Sequence, residues 1–137
     1  MPSKKKHIAV VASVIFQKDM VYCFKKGPHK YEYLSNRFEF PGGKIESGEN
    51  GEEALKREIF EELNIKINVV NELLEFDFEY PDFLLTMTCF KCEIESGEIN
   101  LSEHTDVVLQ PIGKLDELDW LPADVPAVEF LMRHNHG

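Results

Sequence analysis

Gly42-Gly43-Lys44-Ile45-Glu46-Ser47-Gly48-Glu49, continuing to Arg57-Glu58-Ile59-Phe60-Glu61-Glu62-Leu63-Asn64-Ile65, is the stretch on which the reading of this chain turns. At about 100° per residue, Leu55, Ile59 and Leu63 fall on one apolar stripe of a helix expected over Gly51 to Leu63. Glu58 and Glu62 form an i, i+4 pair on the flank of that stripe, with Glu61 one step further round. Like charges at this spacing destabilise a helix by roughly a few tenths of a kcal/mol. Acids beside a core-facing edge are desolvated as well. A hard cation removes both penalties, and Mg²⁺ favours a few carboxylates together with substrate phosphates. The paired glycines let the backbone turn sharply and leave its carbonyls and amides open to a metal or a phosphate. Arg57 adjoins Glu58 and precedes Glu61 by four residues, so it can hold a carboxylate in place. The competing reading is a solvated acidic helix with pairs such as Glu52 and Lys56.

Outward from this helix the chain reads mainly as strands. Ile8 to Phe16 is β-branched and nearly all apolar, as in a strand buried on both faces. Gln17-Lys18-Asp19-Met20 is a turn into a second strand, Val21 to Phe24. Arg37 to Phe40 alternates polar and apolar residues and stops at Pro41-Gly42-Gly43. After the helix come two long strands, Val69 to Tyr80 and Phe83 to Ile94, joined at Pro81-Asp82. A short strand, Asp106 to Leu109, and a last helix from near Pro122 to before Asn135 complete the chain. Strands that follow one another as hairpins, with few βαβ crossovers, imply an α+β fold: a mixed central sheet flanked by helices, close to an α/β/α sandwich.

The 137 residues predict one domain, 1–137, with a basic arm at about 1–6 and a polar tail at about 133–137. No apolar run is long enough to span a bilayer, and Lys4-Lys5-Lys6 is not followed by a signal-peptide cleavage site, so a cytoplasmic protein without a membrane partner is expected. The net charge of −10 disfavours duplex nucleic acid. A polyanionic substrate would then need a divalent cation between its phosphates and the protein's carboxylates. Cys89 and Cys92 have C-x-x-C spacing, but in a strand an offset of three points the thiols to opposite faces, so neither a shared metal nor a disulfide is expected. With Cys23 they read as ordinary reduced thiols.

Gly43, five residues, Glu49, seven residues, Arg57-Glu58-Ile59, one residue, Glu61-Glu62, one residue, position 64 and Ile65 together resemble the Nudix box. The departure is Asn64, where that family usually has glycine; Asn is the next best residue for a left-handed helix end. The resemblance implies a Nudix-type sandwich that hydrolyses a nucleoside diphosphate linked to another moiety, using Mg²⁺ or Mn²⁺. It implies that Glu58, Glu61, Glu62 and the Gly42 carbonyl bind metal, and that Glu58 also orients or deprotonates the attacking water. Arg57 and Glu49 would orient those acids. In MutT-like members an acid from a later loop reaches the metal; Glu103 is the nearest match, against the reading of a solvated loop acid. His104 reads first as a surface histidine, with a supporting role behind the metal ligands as the alternative. His134 and His136 lie in the tail and are given no role.

Further features resemble the MutT-like branch, which cleaves nucleoside triphosphates to monophosphate and pyrophosphate. Glu39-Phe40-Pro41-Gly42-Gly43 enters the box as in that branch, and Lys26 stands where it often carries a phosphate-binding Arg, although a strand-end lysine is an equally simple account. Leu121-Pro122-Ala123-Asp124-Val125-Pro126 resembles the helix start that contacts the base in 8-oxo-dGTPases and CTP pyrophosphohydrolases. Asp124 takes the base-contacting position there, while its safe local role is to cap the last helix. Ionised, it would accept from a cytosine amino group or the N–H groups of an oxidised guanine, and Asp in place of Asn favours the cytidine side. Phe83 and Phe40 are candidates to stack on the base. The expected partner is a small nucleotide, the expected assembly a monomer or homodimer. The rival functions are hydrolysis of a dinucleotide or nucleotide-sugar, and a catalytically silent nucleotide-binding module.

Overall fold

The structure is a computed structural model and describes residues 5–134. Its organising element is β1 (Lys6–Gln17), in which Val11 to Ile15 is buried without a break. Side chains alternate along a strand, so Val11 and Ile15 enter one core while Ala12 and Val14 enter the other. Neighbours on both edges make this possible. β1 runs parallel to β6 (Phe83–Ser96), from Lys6 opposite Phe83 to Ile15 opposite Cys92. On its other edge it pairs antiparallel with β4 (Gly42–Lys44), then turns into β2 (Met20–Lys26). With β3 (Phe38–Glu39), β5 (Lys66–Glu79) and β7 (His104–Pro111) the strands form a mixed sheet of order β3-β2-β1-β6-β5, in which β4 adds to β1 and β7 to β2.

α1 (Gly51–Leu63) covers one face through Leu55, Ile59 and Leu63, against Val11, Ile15, Phe24 and Phe90. α2 (Val125–Arg133) covers the other through Ala127, Val128 and Leu131, against Cys23, Phe40, Cys89 and Trp120. The expected α+β sandwich is therefore the observed one. α1 has the bounds read from the sequence. It starts with a reciprocal capping box between Asn50 and Glu53 and ends on Asn64 at φ 58°, the left-handed conformation that residue was expected to supply.

Element ends differ more. β5 begins three residues earlier than read and stops at Glu79, because pairing with β6 reaches back to Lys66 opposite Ser96. The last helix opens as a separate 3-10 turn, Pro122–Asp124, before α2. Lys6 belongs to β1 rather than to a loose arm, and Arg133 to α2 rather than to a tail; residues 1–4, Asn135, His136 and Gly137 lie outside the described residues. Cys89 and Cys92 sit in opposite cores, as the strand offset implies. Among the described residues no helix is long and apolar enough to cross a membrane.

Candidate active site

Where β1, the Pro41-Gly42-Gly43 turn and α1 meet, a cleft of about 280 Å³ opens, lined by Lys26, Glu39, Gly42, Glu58, Glu62, Glu103, Tyr80, Phe83 and Asp124. The glycines are there for want of room. A Cβ on Gly42 would lie 1.9 Å from the Val11 carbonyl oxygen, and one on Gly43 would lie 2.4 Å from the Glu58 carboxyl carbon. The strand thus packs directly against the acidic edge of α1, and Glu58 rests on bare backbone.

Arg57 gathers the surrounding charges. Its Nε donates to Glu49 Oε2 at 2.6 Å, its Nη2 to Glu49 Oε1 at 3.0 Å and to the Lys44 carbonyl at 3.1 Å, and its Nη1 to Glu58 Oε1 at 2.9 Å. The fork on Glu49 is the bidentate geometry that suits arginine. It keeps Arg57 charged and holds the Glu49 carboxyl below its ordinary range. Glu61, 3.5 Å from Nη1, is the outlier of the expected metal set: its side chain is exposed on the solvent side of α1 and does not line the cleft.

Glu62 is the opposite case. It is only 7% exposed, and its Oε2 has no hydrogen-bond partner. Burial first, then the charges of Glu39, Glu58 and Glu103, push its carboxyl up to about 9. Burial likewise raises Glu58, against the opposing pull of Arg57. An unpartnered buried carboxylate surrounded by three others is destabilising unless a cation joins them. The donor set is all oxygen, which suits a hard divalent ion. The residues therefore fit the metal that the sequence motif implies.

His104 corrects its first reading. It is buried, not a surface residue: Nε2 lies 2.7 Å from Glu39 Oε2 and the ring packs 5.4 Å from that of Phe24. Glu39, Glu62 and His104 together present ligand atoms within 4.8 Å of one another. The strand containing His104 was read as starting at Asp106, which left the histidine in a loop; pairing of Lys26 with His104 is the long-range contact that draws it in.

Asp124 corrects a second expectation. Its side chain makes no cap bond to α2. It is 2% exposed and points into the cleft, where Oδ1 accepts from the Phe40 amide at 3.4 Å. Burial, then the charge of Glu39, hold its carboxyl well above the ordinary range. Phe40 is 3% exposed with its ring 4.6 Å from Trp120, hence a wall more than a free stacking platform. Phe83 is only partly buried beside Tyr80 and keeps a face on the cleft.

The NUDIX domain family matches residues 5–134. The chain belongs to the Nudix family. Within it the similarity is to MutT-like hydrolases. The 8-oxo-dGTP diphosphatase of Escherichia coli K12 is 33% identical over 101 residues, 74% of this chain and 78% of the relative. The CTP pyrophosphohydrolase of the same organism is 28% identical over 127 residues, 93% of each chain. The solution structure of the mismatch repair protein MutT from methicillin-resistant Staphylococcus aureus 252 superposes with a TM-score of 0.75 at 34% identity, covering 96% of this chain and all of that one. The Nudix box of this protein is thus Gly43 to Ile65, with Asn64 completing the helix end.

Proposed function

We propose that this Nudix protein hydrolyses a nucleoside triphosphate to the monophosphate and pyrophosphate, with Mg²⁺ (or Mn²⁺ in its place), acting on cytidine or oxidised purine nucleotides. The observation that carries the reading is one cleft that gathers the unpaired acid Glu62, Lys26 and a second buried carboxyl, Asp124. The unpaired acid suits metal and triphosphate, the second carboxyl a base. Relatives named for 8-oxo-dGTP and for CTP support the two base classes.

In this mechanism Glu58, Glu61, Glu62, Glu103 and the Gly42 carbonyl would hold the cation. When bound, the cation neutralises phosphate charge and polarises the P–O bond under attack. Glu58 takes the proton of the attacking water, whose oxygen bonds to phosphorus as pyrophosphate departs. Arg57, locked by Glu49, fixes the direction in which Glu58 faces. Lys26 balances phosphate charge, Phe83 covers one side of the base, and Glu39 with Asp124 contacts its polar edge. The test is release of pyrophosphate against orthophosphate from a panel of ordinary and oxidised nucleoside triphosphates, with Mg²⁺ and with EDTA. Metal-dependent pyrophosphate from one nucleotide is the expected result; orthophosphate, or silence across the panel, would overturn it.

A further inference from the structure

β7 does not run evenly against β2. Phe24 stands opposite Val107 and Lys25 opposite Asp106, but Lys26 stands opposite His104, so Thr105 is an extra residue on β7. Side chains alternate between faces along a strand, and an extra residue reverses the alternation beyond it. Phe24 and Val107 lie on the α1 side of the sheet. In even register His104 would follow Asp106 onto the other face; the bulge turns it to the α1 side instead. There its ring meets that of Phe24, and its Nε2 lies 2.7 Å from Oε2 of Glu39, the residue opposite Phe24 on β3.

The contact carries a cost. The His104 side chain is 1% exposed. An ionised Glu39 only accepts, so the ring proton sits on Nε2, and Nδ1 is left buried without a hydrogen-bond partner. A buried polar atom with no partner is destabilising. An apolar ring would pack against Phe24 without that penalty, so what the imidazole adds is its N–H to Glu39. The segment has other ties to hold its place: Ser102 Oγ donates to the Glu62 carbonyl at 2.9 Å, and Thr105 Oγ1 to the Lys25 carbonyl at 3.3 Å. Among the described residues the Glu39 carboxylate has no other partner, so with one oxygen held the second is left for the cleft that Glu39 lines. Its charge bears on both Glu62 and Asp124, so a swing of this one side chain alters both.

We propose that His104 is a positioning residue for substrate binding: the bulge at Thr105 presents its Nε2–H to Glu39 and thereby fixes the free Glu39 oxygen toward the nucleotide. The proposal rests on the nucleotide reading above and adds to it a residue that does not itself line the cleft.

Two variants separate the hydrogen bond from the packing. His104→Phe keeps an aromatic ring against Phe24 and loses the donor, whereas His104→Gln loses the ring and keeps an N–H at similar reach. Each is followed by thermal melting, by calorimetric titration with nucleoside monophosphates and with Mn²⁺, and by kcat and KM on the triphosphates. In His104→Phe nucleotide affinity falls about tenfold, the worth of one hydrogen bond to a charged group. The loss appears in KM and Kd with kcat nearly unchanged, and His104→Gln recovers most of it. Wild-type affinity in His104→Phe would overturn the proposal, as would an equal loss in His104→Gln, which is the pattern of a packing role. A loss confined to Mn²⁺ binding would also overturn it, since Glu39 would then serve the cation. Should His104→Phe not fold, ¹⁵N NMR of the wild-type histidine rings, assigned by replacing the other histidines in turn, reads the same bond. Nε2 of His104 carries a proton, and its resonance moves when a nucleoside monophosphate binds; a bare Nε2, or no movement, refutes it. A wild type that binds nucleotide with this signature yet hydrolyses no triphosphate would sink the proposed reaction and leave this inference standing.

Discussion

Removing the charge of Glu62 by Glu62→Gln should stabilise the metal-free protein, although the residue belongs to the proposed metal site. Its carboxyl ordinarily titrates near 4.5 and is pushed up to about 9 in the fold. At pH 7 the unfolded chain therefore carries it ionised while the folded chain holds it protonated. Holding that proton costs about 1.4 kcal/mol for each pH unit above 4.5, or about 3 kcal/mol at pH 7. The sign follows from the upward shift: stability from this group is complete below pH 4.5 and is lost progressively as pH rises toward 9. Glutamine stays neutral in both states and removes that slope. In EDTA the variant and wild type should melt together near pH 5, and the variant should lead by roughly 10 °C near pH 7, taking ~3 °C per kcal/mol for a domain of this size. Mg²⁺ should then raise the wild-type melting temperature, most at high pH, and the variant's much less. Thermal melts at pH 5, 7 and 8.5, with EDTA and with Mg²⁺, measure all of this. A variant that melts at or below the wild type at every pH in EDTA would refute the picture of Glu62 as a strained, unpaired acid.

Glu58→Gln keeps shape and removes one charge, so turnover should fall by at least about a hundredfold, the lower range for a positioned general base, with the melting temperature within a few degrees of wild type. Unchanged turnover would remove Glu58 from the mechanism. Gly42→Ala sets a methyl 1.9 Å from the Val11 carbonyl; since the obstacle is backbone, β4 must leave β1, and a loss of at least about 3 kcal/mol in urea unfolding is expected. Asp124→Ala should change the ranking among nucleotides more than the Mg²⁺ concentration needed for half activity. Equal losses on every nucleotide would count against a base contact.

The parts of the fold legible in the sequence were those decided within a few turns of chain. α1 was readable to the residue because Leu55, Ile59 and Leu63 repeat at helical spacing and Asn64 ends it. The burial of β1 on both faces was readable because the run has no polar phase. Of the candidate site, Glu58, Glu62 and Arg57 were legible since they share one helix. The rest depends on contacts between distant segments that no local pattern encodes. Glu39 meets His104 across 65 positions, and Asp124 meets the Phe40 amide across 84. Asp124 misled for a specific reason: α2 runs straight on from the 3-10 turn Pro122–Asp124, so the Val125 amide already bonds the Pro122 carbonyl and Pro126 has no N–H to cap.

The three thiols carry a practical consequence. Burial pushes Cys23 and Cys92 up to about 12 and Cys89 higher still, so none offers a thiolate to a reagent while the protein is folded. Cys23 and Cys89 sit beneath α2, whereas Cys92 sits beneath α1. A thiol reagent therefore acts as a clock on each layer separately. The labelling rate at Cys92 reports how often the α1 side opens, and those at Cys23 and Cys89 report the α2 side, so metal that ties down the acidic helix should slow the first clock more than the second.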